Sequence, residues 1–288
     1  MTQIAVTGTT NFVSRCISRA LMDAGHGVQS AADLPQNSVA AMDALADDVS
    51  ASTAYDLQGV EVVVHIGGSF GRSEGGAFDA VRATQDAVSS SRAARIKRFI
   101  HIGCISAEAG THSHYLYQQW KAESIVRGAG VDLPFTILRP SLVMGRDDGV
   151  TDALSAWMKI WPVIPIPGRG QERVQPVDVR DVARCVVEAL DEQFVNEMIS
   201  VGGSAFLTYR QLVDLVGSIH GHVRPKLLLS SRILRFMNPV IPAAARSLVE
   251  PHCLDLFEYR GVASPGIIQR NFGFEPRPVH ALLAEYLS

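Results

Sequence analysis

The chain has 288 residues, 47% of them hydrophobic and 19% charged, and a formal net charge of −3. That length can bury a full core in one large or two modest domains, while mild acidity with lysine only at 97, 121, 159 and 226 excludes the dense basic stripe of a nucleic-acid surface. No apolar run reaches the roughly twenty residues of a membrane span and no basic-then-apolar leader opens the chain, so a cytoplasmic protein is expected. Cys16, Cys104, Cys185 and Cys253 lack CxxC or Cys/His spacing and the nine histidines lack HExxH, so neither a disulfide framework nor a metal site is expected.

The chain opens on a short apolar strand from Ile4, a turn at Gly8, and a helix with apolar residues at Val13, Ile17, Ala20 and Leu21. This is the opening of a dinucleotide-binding βαβ unit, in which N–H groups at the helix N-terminus face a pyrophosphate that the helix dipole also favours. Three glycines are expected there: one for the turn, one for close approach to the phosphates, one for helix-on-strand packing. Only Gly8 is present, and Asn11 and Ser14 hold the other two places. Asn is the non-glycine residue most at ease with positive φ, and Ser is small. Gly8, Thr10, Asn11 and Phe12 are the candidate phosphate-side residues; the alternative is a buried turn that holds no cofactor.

A second strand ends at Asp33, where an acid bonds ribose hydroxyls and repels a 2′-phosphate, which favours NAD over NADP; an ordinary capping Asp is the competing reading. The polar stretch 35–58 is expected to hold a weak strand near 42–49 and a short helix near 51–57, with Asp48 beside the adenine. The β-branched run Val60 to Ile66 reads as a strand buried on both faces, closing on Gly67 and Gly68, whose small size lets a ligand approach. A Gly/Ser-rich loop over 69–77, a helix over 78–92 and a strand over 98–102 follow. The alternation predicts a parallel, doubly wound sheet.

Past the fifth strand, Tyr117 and Lys121 stand four apart near the start of a helix and share one of its faces. A phenol is a poor acid or base at neutral pH, and a neighbouring ammonium favours its anion. Gly8 with its flanking residues, Val64-His65-Ile66-Gly67-Gly68, Phe99-Ile100-His101-Ile102, Tyr117-x-x-x-Lys121, Leu138-Arg139-Pro140-Ser141-Leu142-Val143-Met144-Gly145 and the stretch from Val174 to Ala183 occur in that order. Over roughly residues 4–215 the chain resembles the short-chain dehydrogenase/reductase superfamily, in its extended or atypical branch of nucleotide-sugar epimerases, hydroxysteroid-type dehydrogenases and proteins similar to the nucleotide-binding accessory subunit of respiratory complex I. The resemblance implies that Tyr117 passes a proton to or from the substrate oxygen, that Lys121 assists it and bonds the nicotinamide ribose, and that Pro140 and its neighbour Val143 pack against the nicotinamide. The family's serine, which bonds the substrate carbonyl, falls on Cys104, thirteen residues before Tyr117. A thiol is a much weaker donor, so Ser106, Thr111 or Ser113 takes over that bond, or the chemistry is slow or lapsed; a small buried residue is the plain alternative for Cys104.

In the C-terminal third a helix over 151–161, a Pro/Gly-rich connection over 165–170, a strand and helix over 175–190, a strand over 198–201 and a helix over 208–220 capped by Thr208 are expected. The apolar and basic stretch 222–249 reads first as a lid over an apolar substrate, and otherwise as a homodimer face or a membrane-surface helix. Residues 272–276 and a final helix over 279–287 are expected to pack. The expectation is an α/β Rossmann-type fold with 1–150 and 174–202 as the dinucleotide-binding domain and 151–173 and 203–288 as a smaller substrate-binding or lid region. Its implied activity is NAD(H)- or NADP(H)-dependent redox chemistry on the carbonyl/alcohol pair of an apolar small molecule. The alternative is a dinucleotide-binding sensor or assembly protein without turnover.

Overall fold

A computed structural model describes residues 1–30, 36–38, 53–68, 79–108, 111, 113–230, 233–234 and 261–287. The strands are β1 (Gln3–Gly8), β2 (Gly27–Ser30), β3 (Gln36–Ser38), β4 (Thr53–Tyr55), β5 (Val62–Ile66), β6 (Arg98–Ile102), β7 (Phe135–Pro140), β8 (Leu142–Met144), β9 (Ile164–Pro167), β10 (Arg173–Val174), β11 (Pro176–Asp178), β12 (Glu197–Val201), β13 (Leu207–Thr208) and β14 (Lys226–Leu229). The helices are α1 (Phe12–Asp23), α2 (Ala80–Ala93), α3 (His114–Gly128), α4 (Val150–Ile160), α5 (Val179–Glu188), α6 (Tyr209–Ile219), α7 (Ile267–Phe272) and α8 (Val279–Leu287).

Six strands form one sheet in the order β12-β7-β6-β5-β1-β2, every pairing parallel. β5 and β6 are buried along their whole length, as the β-branched run requires for a sheet covered on both faces. β1 lies between β2 and β5, so the chain leaves it in opposite directions on its two sides. That is a topological switch point, and it opens a crevice at the C-terminal ends of β1 and β5. Side chains alternate across the sheet: Val6, Val64, Ile100 and Leu138 pack with α1, α5 and α7, and Ala5, Val63, Phe99 and Ile137 pack with α2 and α3. A further apolar cluster joins α4, α6 and α8 to β8 and β9.

Capping sets several helix starts as their sequences suggest. The Thr208 hydroxyl accepts from Gln211 N–H while the Gln211 side chain returns to the Thr208 N–H, a reciprocal box. α3 begins three residues before Tyr117, because Ser113 caps it and accepts from Leu116 N–H at 3.1 Å.

Two expectations fail. In place of the helix over 51–57, Thr53–Tyr55 is a strand paired antiparallel with β3. A β-branched and an aromatic residue suit a strand, seven residues are too few to hold a helix unaided, and Asp56 already turns the chain by accepting from Gln58 N–H. The expected Pro/Gly-rich connection over 165–170 holds β9, paired parallel with β14. Pro165 and Pro167 have no N–H to give, so Ile164 and Gly168 donate instead, to Pro225 and Leu229 carbonyls at 2.8 and 2.9 Å. The expected strand near 42–49 and most of the 222–249 segment lie outside the described residues.

His65 and His101 are neighbours across β5 and β6, wholly buried, with rings stacked at 5.6 Å. His65 is bonded to the Thr7 and Thr84 hydroxyls at 3.0 and 3.1 Å, whereas neither nitrogen of His101 has a partner among the described residues. Burial pushes His65 down to about 3; burial, then His65 and Arg139, hold His101 well below the ordinary histidine range. Both rings are neutral when folded, so their stabilisation is complete above the unfolded histidine value near 6.5 and is lost as pH falls below it. Urea denaturation between roughly pH 6.5 and 5 is expected to show this loss, with His101→Leu reducing the slope by about 0.7 kcal/mol per pH unit at pH 6.5, rising to about 1.4 near pH 5.

Candidate functional site

The seam between β1 and β5 is built for close approach. Gly8 has φ +92, and a Cβ there would overlap the Ile66 carbonyl oxygen. Thr9 ties the two strand ends together, its hydroxyl donating to the Gly68 carbonyl at 3.0 Å and its N–H to the Ile66 carbonyl at 3.3 Å. Asn11 caps α1: its Oδ1 accepts from Val13 and Ser14 N–H at 3.0 and 3.1 Å, and its own N–H donates to Ser14 Oγ at 2.9 Å. The carboxamide Nδ2 is buried without a partner among the described residues. Thr10 is exposed, whereas the Phe12 ring is buried in the core beside Gly145.

α3 is seated over the ends of β5, β6 and β7 by polar contacts. Gln119 Nε2 donates to the Gly67 carbonyl at 2.9 Å. Glu123, with no exposed surface, takes an ion pair from Arg139, whose Nε stands 2.9 Å away. The second Glu123 oxygen lies against Gly103, where a Cβ would collide with it. Burial pushes the Glu123 carboxyl up, and the Arg139 guanidinium opposes that shift. None of Gln119, Glu123 and Arg139 stood out in the sequence; the available signal was a carboxylate and an amide four apart on an otherwise weakly amphipathic helix.

Tyr117 and Lys121 are brought together as the spacing predicts. The Lys121 Nζ stands 4.8 Å from the centre of the Tyr117 ring, and that ring stacks on Trp120 at 5.7 Å. Tyr117 is half-buried and Lys121 exposed. Two residues along a helix are about 200° apart, so this pair sits away from the face that carries Gln119 and Glu123.

Cys104 lines a narrow cleft with Ile105, Ser141, Leu142, Arg173, Val174 and Gly261. It is buried, and burial pushes its thiol up to about 11, which leaves it protonated at neutral pH. Of the three hydroxyls expected nearby, Thr111 accepts from Ser113 N–H and Ser113 caps α3. Among the described residues Ser106 Oγ has no partner, and it is buried beside Gly261. Pro140 precedes the cleft residues Ser141 and Leu142, and Val143 is packed in the core. Gln175, not anticipated, clamps the cleft from below by donating to the Gly203 carbonyl at 2.8 Å and accepting from Ala263 N–H at 2.7 Å. Asp33 and Asp48 lie outside the described residues. A larger groove of about 650 Å³, lined by Tyr55, Asp56, Asp86, Ser89 and Ser90 among others, runs along the C-terminal end of α2 and includes none of the expected site residues. Among the described residues no cluster could hold a metal ion, and no helix is long and apolar enough to cross a membrane.

The model of the NAD dependent epimerase/dehydratase family matches residues 4–202. The chain belongs to that family. At this seam the family's dinucleotide would meet the first turn of α1, where the Val13 and Ser14 amides are engaged by Asn11 Oδ1. Over 124 residues the chain is 32% identical to the mitochondrial NADH dehydrogenase [ubiquinone] 1 alpha subcomplex subunit 9 of Arabidopsis thaliana, a match that covers 42% of this chain and 30% of the relative. The chain therefore matches about a third of the length of that relative. Among solved structures it resembles UDP-glucose 4-epimerase of Thermotoga maritima with UDP-glucose, at 16% identity and a TM-score of 0.66 over 99% of this chain and 97% of the other. It also resembles the dTDP-glucose 4,6-dehydratase of Streptomyces venezuelae with NAD and TYD bound, at 17% identity and a TM-score of 0.67 over 99% and 95%. These likenesses show the fold. The polar sugar nucleotides named for those two proteins are out of line with the apolar substrate expected from the 222–249 segment; the cleft at Cys104 is small, about 10 Å³, and the Ser141 hydroxyl in its wall donates to the Gln175 carbonyl.

Removing one partner of the Glu123–Arg139 pair strands a buried charge. Arg139→Met is expected to lower stability by about 3–5 kcal/mol, most of it regained in the double variant Glu123→Leu/Arg139→Met. Protonation relieves a stranded carboxylate, so the deficit of the single variant shrinks as pH falls toward the ordinary glutamate value near 4.3; denaturation curves at several pH values check both points.

Proposed function

We propose that this chain binds NAD(H) or NADP(H) in the crevice between β1 and β5 and catalyses redox chemistry at a carbonyl/alcohol pair. The observation that carries the reading is the close approach of Gly8 to the Ile66 carbonyl at the topological switch point of a chain that matches the NAD dependent epimerase/dehydratase family over residues 4–202; the pairing of Tyr117 with Lys121 on α3 supports it. Gly8, Thr10, Asn11, the Phe12 backbone, Gly67 and Gly68 are the proposed cofactor contacts, with Pro140 and Val143 at the nicotinamide end. Asp33, and Asp48 beside the adenine, complete the proposal, and Asp33 tilts it toward NAD.

Hydride transfer is the chemistry that the bound dinucleotide supplies. Tyr117 gives its phenolic proton to the substrate oxygen when a carbonyl is reduced and accepts it back in the reverse direction. Lys121, whose Nζ stands over the ring, bonds the ribose. With the thiol of Cys104 protonated and a weak donor, Ser106 is the substrate-side hydroxyl, because Thr111 and Ser113 are engaged in capping. Arg173 at the cleft favours a substrate with an anionic or polyhydroxylated part, in keeping with the sugar nucleotides named for the two similar structures.

The similarity to a complex I subunit favours a second reading, in which the chain holds the dinucleotide without turnover and serves a protein assembly. Isothermal titration with NADH and NADPH, followed by turnover on a panel of ketones, aldehydes and sugar nucleotides, separates the two. Stoichiometric binding without turnover supports the assembly reading, and absence of binding retires both. For an active enzyme, Tyr117→Phe is expected to abolish turnover with dinucleotide binding retained, and Ser106→Ala to lower kcat by roughly 10²–10³. Full turnover by Tyr117→Phe would remove Tyr117 from the mechanism.

A further inference from the structure

The proposed phosphate seat is already filled by the protein's own side chain. An anion at the start of a helix is held by N–H groups of the first turn, which have no partner inside the helix. In this chain two of them, from Val13 and Ser14, donate to Asn11 Oδ1 at 3.0 and 3.1 Å. The Asn11 N–H is also engaged, by Ser14 Oγ at 2.9 Å. The two residues that stand where glycines are expected thus close on each other as a capping box. Asn11 is 3% exposed, and its Nδ2 has no bonding partner among the described residues. Asn11 is therefore anchored through its oxygen, the atom that mimics an acceptor on a phosphate.

We infer that Asn11 is an internal surrogate for the pyrophosphate and sets the affinity for the dinucleotide: the diphosphate enters by displacing Oδ1 from the Val13 and Ser14 amides. This deepens the dinucleotide reading above and rests on it. Glycine at this place exposes both amides with little loss to the cap, and aspartate keeps the cap while adding a negative charge to the seat.

The test measures binding of NADH, ADP and adenosine by isothermal titration, with melting temperatures, for the full chain and for Asn11→Gly and Asn11→Asp. Asn11→Gly is expected to bind NADH and ADP about tenfold more tightly than the unchanged chain, with adenosine, which lacks the diphosphate, unaffected. Asn11→Asp is expected to melt no lower than the unchanged chain and to lose NADH and ADP binding. If the unchanged chain binds NADH and Asn11→Gly binds it no more tightly, or if Asn11→Asp binds as well as the unchanged chain, the surrogate role is wrong and the dinucleotide reading stands. If neither the unchanged chain nor Asn11→Gly binds NADH or NADPH, both fall.

Discussion

The Gly8 backbone lies so close to the Ile66 carbonyl that no side chain fits between them, and the whole C-terminal edge of the sheet is arranged around that approach. β1 and β5 are adjacent but reached by crossovers on opposite sides, so the seam between their ends is where a crevice must open. The same device recurs on the next two strands. Gly67 follows β5 and lies against the His101 ring; Gly103 follows β6 and lies against the Glu123 carboxylate. Three neighbouring strands thus each end in a glycine, but for different reasons: at the seam the backbone of the next strand must come near, and at the other two a buried polar side chain takes the space.

Those polar side chains explain how α3 is held. Its buried face carries Leu116, Ala122 and Val126 but also Gln119 and Glu123, and apolar burial alone would tolerate sliding or rotation of so mixed a surface. Directional contacts from Gln119 to the Gly67 carbonyl and from Arg139 to Glu123 do not. The layer is expensive, since two neutral histidines and one ion pair have been taken out of water. Its consequence is a defined rotation of α3, and with it a defined place for Tyr117 and Lys121 on the side of the helix away from Gln119 and Glu123.

The C-terminal third is joined to the sheet by a second set of charges. Asp178, wholly buried at the end of β11, is met by Arg180, by Arg277 and by the Tyr286 hydroxyl at 2.8 Å. Glu285 completes the group through Arg180 and Arg277. This clasp fastens the start of α5 to α8, while Gln175, three residues earlier, fastens Gly203 and Ala263. The cleft that begins at Cys104 therefore has walls contributed by segments far apart in the chain, Ser141, Arg173 and Gly261 among them.

The parallel sheet, its order of elements and the Gly8 turn were legible in the amino-acid sequence, because buried β-branched runs and capping residues act over a few neighbours. Val60 to Ile66, the Thr208 cap, and Tyr117 with Lys121 are all patterns of that local kind. What neighbours alone do not decide came out differently: Thr53–Tyr55 is a strand because β3 lies beside it, and Ile164–Pro167 is a strand because β14 does. The fate of the hydroxyls at 106, 111 and 113, the burial of Cys104 and the pairing of Glu123 with Arg139 were likewise decided only by tertiary structure. A hydrogen bond needs its partner within about 3 Å, and which partner arrives there depends on how distant segments pack, a quantity that no short stretch of residues contains.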